Sequence, residues 1–171
     1  NVTYNLYQPT TGIFDTEHWA HNPDIKALEH DMEKAAALFD EAGWLIDEED
    51  GWRYKTINGQ RTKFHFEILM ANSFSYAFPM VDMMRDHLKK LGVSFDFTVI
   101  ENAAFDTRYL KHNFQCIVSV WEVSSDPGQW RNHFHTDEYQ AGRNVGGYSN
   151  PRVDELFDLA VATFNRDERA Q

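Results

Sequence analysis

The sequence predicts an α/β fold: a βαβαβ core with a mostly parallel sheet, plus an N-terminal hairpin and flanking helices. Three observations predict it. Apolar residues recur at a period of two over 64–70 and 93–100, and form a run from Cys116 to Trp121 in which Ser119 alone is polar. Between these strands lie stripes at the helical period. The connections are short, and strands alternating with helices in this way pair in parallel through right-handed crossovers.

Residues 1–30 show no clean period and carry Pro9 and Gly12, so they form an irregular lead-in. Residues 31–42 predict a helix, with Asp31 as its cap, Glu33 at the positive end and Gly43 as its stop. Met32, Ala35, Ala36, Phe39 and Ala42 share one face, and Trp44 folds back on the last turn. The acidic loop 47–51 has calcium-loop composition but not its spacing. With Gly51 sixth, positions one and twelve fall on Ile46 and Ile57, where carboxylates are needed. It is a turn. Strands 52–57 and 61–70 flank Asn58-Gly59, the strongest short hairpin signal.

A helix over 77–91 follows, with Pro79 in its first turn and a stripe of Met80, Val81, Met84, Leu88 and Leu91. Its two methionines share the stripe with Val and Leu and read as core filler. Gly92 ends it, and Val93, Phe95, Phe97 and Val99 then share a strand face. Asn102 caps a short helix carrying Phe105, Tyr109 and Leu110, and 114–121 returns to the sheet. Residues 129–136 suggest a short helix, and 137–149 are Gly-rich and irregular. The last long helix is the best marked, with Asn150 as cap, Pro151 first, and Asp154 and Glu155 in the opening turn. Val153, Leu156, Phe157, Ala160 and Phe164 form its stripe, and another polar helix begins near 165.

At 171 residues and 42% apolar, the chain suits one domain or one lobe of something larger. No apolar run approaches the roughly 18 residues of a membrane helix, and residues 1–11 lack the basic start of a signal peptide. The net charge is −11. Residues 15–50 hold twelve acids against Lys26 and Lys34, a local charge of −10, which leaves −1 for the rest. An acidic chain without a basic patch argues against nucleic acid and anionic membranes. The single cysteine, Cys116, forms no internal disulfide and reads as a buried, inert thiol.

In open α/β sheets, ligands sit at the carboxyl ends of strands. The strand 116–121 empties into Trp121, Glu122, Ser124, Ser125 and Asp126-Pro127, with Trp130 beyond, and this is the candidate site. Its plain alternative is a strand end followed by a turn. His133-x-His135, with Asp137 and Glu138 nearby, and His18-x-x-His21 have ligand-like spacing, yet neither completes a metal motif. No G-x-S-x-G or G-x-G-x-x-G is present. Nothing groups a base, a nucleophile and oxyanion donors, so no catalytic residue, metal or cofactor is assigned.

The ordered motifs resemble the family 5 solute-binding proteins of ABC importers, the oligopeptide, dipeptide and nickel class. Residues 33–44 read EKAAALFDEAGW, and 47–61 read DEEDGWRYKTINGQR. Residues 88–93 read LKKLGV, a strand ends at Trp121 before Asp126-Pro127, and 144–156 read NVGGYSNPRVDEL. Arg166–Arg169 matches the family's D-x-x-x-R neighbourhood. The likeness runs from about Asp31 to the end. It implies a periplasmic-binding-protein-like lobe over 31–171, a fragment of a two-lobed protein whose first lobe, signal peptide and returning C-terminal segment lie elsewhere. It also implies a periplasmic location, or an extracellular, membrane-anchored one in a single-membrane organism, and a membrane permease as partner.

The ligand implied is a small solute, peptide first and oligosaccharide second, captured as the lobes close. Peptide-binding members anchor the peptide's α-amino group on an Asp a few positions after the Trp. Here those positions hold Glu122, Val123, Ser124 and Ser125, and the first Asp is Asp126. Trp121 then supplies a wall, Glu122 or Asp126 a charge, and Ser124 and Ser125 hydrogen bonds. For a sugar, the platforms are Trp121, Trp130 or Tyr148. Asn144 is either a further contact or a loop-ordering residue. From another class, the alternatives are a metal-dependent hydrolase using His133 and His135, or a plain protein-interaction domain.

Overall fold

The computed structural model describes residues 10–121 and 125–169, arranged as two compact units. One is built from Leu28–Thr107 and Phe114–Ser119. The other is built from Arg108–Asn113 and the described residues of 5–27 and 120–171.

The first unit opens with α1 (Met32–Glu41). The Asp31 carboxylate accepts from the Lys34 amide at 2.8 Å, and Gly43 leaves the helix at φ +81°. The Trp44 amide returns to the Phe39 carbonyl at 2.9 Å. Ala42 is exposed rather than on the packed face. Strands β1 (Leu45–Ile46), β2 (Arg53–Ile57) and β3 (Gln60–Lys63) form an antiparallel sheet in that order. Asn58 (φ 52°) and Gly59 (φ 79°) both take the positive dihedral that this tight hairpin turn requires.

The predicted strand 61–70 is in fact two. It breaks at Phe64, whose amide donates to the Arg53 carbonyl and whose carbonyl accepts from the Ser94 amide. β2 offers no antiparallel partner beyond that point, so the chain joins a second sheet as β4 (His65–Ala71).

β4 is the centre of that second sheet. After it come a 3-10 turn (Asn72–Ala77), α2 (Phe78–Lys90), β5 (Ser94–Ile100), α3 (Asn102–Leu110) and β6 (Cys116–Val118). The order is β5-β4-β6, with β4 parallel to both neighbours, as the two crossovers predicted. Ile68, Leu69 and Met70 are fully buried, so period-two alternation survives only in the first half of β4.

α2 covers the sheet through Val81, 1% exposed against Ile68 and Phe95, and through half-buried Leu88. Met80 and Met84 are exposed, which corrects the core-filler reading. The contact is a narrow ridge one heptad long, and the two methionines flank it. Asn102 is the first helical residue rather than the cap; the Glu101 carbonyl accepts from the Phe105 amide. Cys116 is half-buried, and burial pushes its thiol pKa up.

Arg53 joins several edges of this unit. It is 3% exposed, and it donates to the Leu91 carbonyl at 2.6 Å, to Asp40 and the Trp44 carbonyl at 2.5 Å each, and to the Ala36 carbonyl at 3.4 Å.

The second unit is short helices and turns. A 3-10 turn (Pro127–Trp130) leads into α4 (Arg131–Phe134), and α5 (Glu138–Ala141) lies within the stretch read as irregular. α6 (Pro151–Ala162) and α7 (Arg166–Arg169) follow. The Asn150 side chain accepts from the Arg152 and Val153 amides, as its cap role predicts. Val153, Phe157 and Ala160 are half-buried, whereas Leu156 is 46% and Phe164 98% exposed, so the predicted stripe is narrower. Arg131 ties α4 to α6 through Asp158 at 2.9 Å and to α5 through Glu138 at 2.6 Å. That arginine holds the Asp158 carboxyl below its usual range, and Thr136 does the same for Asp154. Among the described residues, no helix is long and apolar enough to cross a membrane.

Candidate ligand-binding site

The loop after Trp121 is fixed at its far end. Asp126 sits in extended backbone and caps the 3-10 turn, its carboxylate accepting from the Gly128 amide at 2.8 Å. The same oxygen accepts from Arg169 at 2.6 Å, and that contact first, then the amide, holds the carboxyl below its usual range. Trp19 completes the clamp. Its indole N–H donates to the Ser125 carbonyl at 2.9 Å, and Arg166 and Arg169 lie over its ring at 5.1 and 5.9 Å. Trp19 and Arg169 are thus part of the loop's support, and their distance from it in sequence hid them.

The 3-10 turn and α4 set Trp130 and His133 one turn apart on the same side. Their ring centroids are 5.1 Å apart, and Trp121 stands near-perpendicular to both, at 6.3 Å from Trp130 and 5.7 Å from His133. Trp130 is 5% exposed and Trp121 45%. Among the described residues, Trp130 Nε1 is buried without a hydrogen-bond partner, and the buried ring nitrogens of His133 have no partner other than the Gln129 backbone. Burial pushes the His133 pKa down, opposed by the Gln129 carbonyl and aided by Arg143, so the ring is neutral at pH 7.

The structure therefore brings together two predicted residues, Trp121 and Trp130, and adds His133, which the sequence suggested only as half of a metal pair. Ser125 and Asp126 are engaged in the loop clamp. Glu122 and Ser124 lie outside the described residues. Asn144 is 1% exposed, and its amide donates to the His135 and Tyr148 carbonyls at 3.0 and 2.7 Å while accepting from the Tyr148 amide. Its side chain orders the loop and presents no surface to a solute. Tyr148 is 43% exposed beside Tyr139 on a separate open recess of about 700 Å³.

The metal pair does not form. His135 follows the end of α4, where its Nδ1 accepts from the Asp137 amide, while His133 faces the two tryptophans. Among the described residues, no three His, Cys, Asp or Glu side chains gather as a metal site. His18 is likewise occupied locally, accepting from the Ala20 amide and stacking on Phe14.

The model of "Bacterial extracellular solute-binding proteins, family 5 Middle" matches residues 1–141. The chain belongs to this family. The match takes in the lead-in, which the sequence motifs had left outside. Among curated relatives, the oligopeptide-binding protein AppA of Bacillus subtilis is 26% identical over 147 residues, 85% of this chain and 26% of its own length. The probable peptide-binding protein YejA of Agrobacterium fabrum is 26% identical over 163 residues, 92% of this chain and 25% of its own. The chain thus spans about a quarter of the length of these relatives.

Solved structures share the fold. B. subtilis AppA, in complex with a nonapeptide, gives a TM-score of 0.78 at 24% identity over 91% of this chain and 31% of that one. NikZ of Campylobacter jejuni, in complex with Ni(L-His), gives 0.75 at 24% identity over 89% and 30%. The two curated relatives are binding proteins by name, and the solved structures share the α/β fold.

Proposed function

We propose that residues 31–171, after the lead-in 1–30, are one lobe of a two-lobed solute-binding component of an ABC importer, with a peptide as solute. The observation that carries this reading is the pair Trp121 and Trp130 at the loop beyond the sheet, in a chain of this family. Two curated relatives named for peptides, and a neighbour solved with a nonapeptide, favour peptide over oligosaccharide. Trp121 supplies an apolar wall, and Ser124 and Ser125 supply hydrogen bonds. Glu122 carries the charge that meets the α-amino group, because Asp126 already answers Arg169 and the Gly128 amide. Binding shifts an open–closed equilibrium of the lobes. The protein works outside the cytoplasmic membrane with a membrane permease, and no nucleic acid, metal or cofactor takes part.

The test is a thermal-shift panel on the full two-lobed protein with short peptides, mannohexaose and zinc. Peptide in large excess over Kd raises the midpoint by an amount worth about 3 kcal/mol, and Trp121→Ala with Glu122→Ala abolishes the rise. A shift with mannohexaose alone selects the oligosaccharide reading. A shift with zinc alone, lost in His133→Ala, selects the hydrolase and ends this one.

A further inference from the structure

We infer that one face of α2 is a soft-metal site for Cu(I), built from Met80, Met83, Met84 and His87 and completed by His30. The site belongs to the first unit, whereas the loop after Trp121 belongs to the second, and it is separate from solute capture.

The four residues of α2 lie well inside the helix, which runs from Phe78 to Lys90. Residues three and four apart on a helix are neighbours, with Cβ atoms about 5–6 Å apart. Met83 and Met84 stand third and fourth from Met80, and His87 stands fourth and third from them. They therefore corner one patch, beside the buried ridge that Val81 makes against the sheet. The three methionines are 45%, 44% and 37% exposed, so their sulfurs are not spent on the core. A second segment reaches the end of the patch. His30, from the residues before α1, sets its imidazole against that of His87, with ring centroids 5.0 Å apart and planes at 49°. Among the described residues, no hydrogen bond or ion pair engages either ring.

An exposed methionine by itself is ordinary. Three that share a face with two touching imidazoles make a donor set, and that set selects its metal. Thioether sulfur is soft and uncharged, which suits Cu(I), and imidazole suits copper as well. A monovalent ion needs no anionic ligand to balance it. Zinc and nickel sites draw instead on imidazole, thiolate or carboxylate, and among the described residues no three such groups gather. The three rotatable bonds of each methionine let the sulfurs converge while the helix stays in place. Ligation by His30 then fastens the segment before α1 to α2.

The test is silver nitrate, a redox-inert probe with the same preference for sulfur, in chloride-free buffer. It is titrated into the full two-lobed protein carrying Cys116→Ala, which removes this chain's one thiol, and ¹³C-methyl methionine. One equivalent should shift the methyl signals of Met80, Met83 and Met84, assigned by Leu substitution, and leave fully buried Met70 in place. Cu(I) held reduced by ascorbate should displace Ag(I) and shift the same signals. Met83→Leu and His87→Gln keep the size of each side chain, and each should weaken Ag(I) binding by about tenfold or more, with the thermal midpoint of the metal-free protein unchanged. Methyl signals unmoved by one equivalent of Ag(I), or Ag(I) held by both variants as tightly as by the parent, overturn the site. A loss in one variant alone overturns the mixed donor set. Zinc nitrate that displaces Ag(I) from the site overturns the soft-metal class.

Discussion

Replacing Arg53 with Met asks whether one buried cation holds the edges of the first unit together. Its guanidinium answers the carbonyls of Leu91, Trp44 and Ala36 and the Asp40 carboxylate. Asp40 is 56% exposed, so it returns to water at little cost when its partner is removed. The Ala36 contact is long at 3.4 Å and loses little. The short bonds to Leu91 and Trp44 decide the outcome. A buried carbonyl stripped of its donor costs ~1–3 kcal/mol, so two give about 2–6 kcal/mol. Met keeps most of the apolar stem, and water reaching the Trp44 side lowers the total, so we expect about 3 kcal/mol.

Urea unfolding followed by tryptophan fluorescence reads this as a lower midpoint with an unchanged slope. Arg53→Lys should recover less than half, since one ammonium cannot span acceptors that the planar fork reaches together. A loss for Arg53→Met under about 1 kcal/mol would refute the reasoning and show that water serves these carbonyls equally well.

Asn144→Ala removes three hydrogen bonds from a residue that is 1% exposed. It should cost about 2–4 kcal/mol in the same assay, and an unchanged midpoint would return Asn144 to the ligand-contact list. His133→Phe deletes two buried nitrogens whose one contact among the described residues is the Gln129 backbone and should change stability by less than about 1 kcal/mol; a larger fall would mean that they have further partners. Asp50, Asp126, Asp154 and Asp158 all have carboxyl groups held below the usual range by hydrogen bonds. Their contribution is complete above the unfolded value near ~3.9 and is lost as pH falls through the depressed folded values. In His133→Phe the urea midpoint should therefore be flat between about pH 7 and 5 and drop below about pH 4, whereas wild type loses a further share as pH falls below ~6.5, because burial disfavours charging His133 only in the folded state; a drop in His133→Phe beginning near neutrality would contradict this.

Signals that are local and chemical were readable in the sequence. Asn58-Gly59 takes two positive φ angles, Asn150-Pro151 caps and starts α6, and Gly43 closes α1 on the left-handed side. What depended on partners was not readable. The break at Phe64 is invisible because both sheets accept the same apolar alternation; only the end of β2 and the arrival of β5 decide where the chain changes sheets. Met80 and Met84 fit the helical period, yet how wide a helix face is covered depends on what lies opposite. In the site, Trp121 stood out as the end of an apolar run. His133 did not, because the x-His spacing drew attention to His135, while the backbone turns to extended after Phe134 and sends the two imidazoles apart. Trp19 and Arg169 support the loop from opposite ends of the chain, beyond the reach of any local motif.

The position of β4 has a cost during synthesis. Ile68 pairs with Phe97 on one side and with Cys116 on the other, and both partners follow it in the chain. The hairpin at Asn58-Gly59 closes within microseconds of leaving the ribosome. The segment FEILMA must then wait seconds, at ~5–20 residues per second, for each flank to be made. Through that interval, the strand that ends up fully hidden offers two open edges and a run of naked apolar side chains. A nascent chain paused after β4 should therefore be a substrate for holdase chaperones, and one paused after β6 should not.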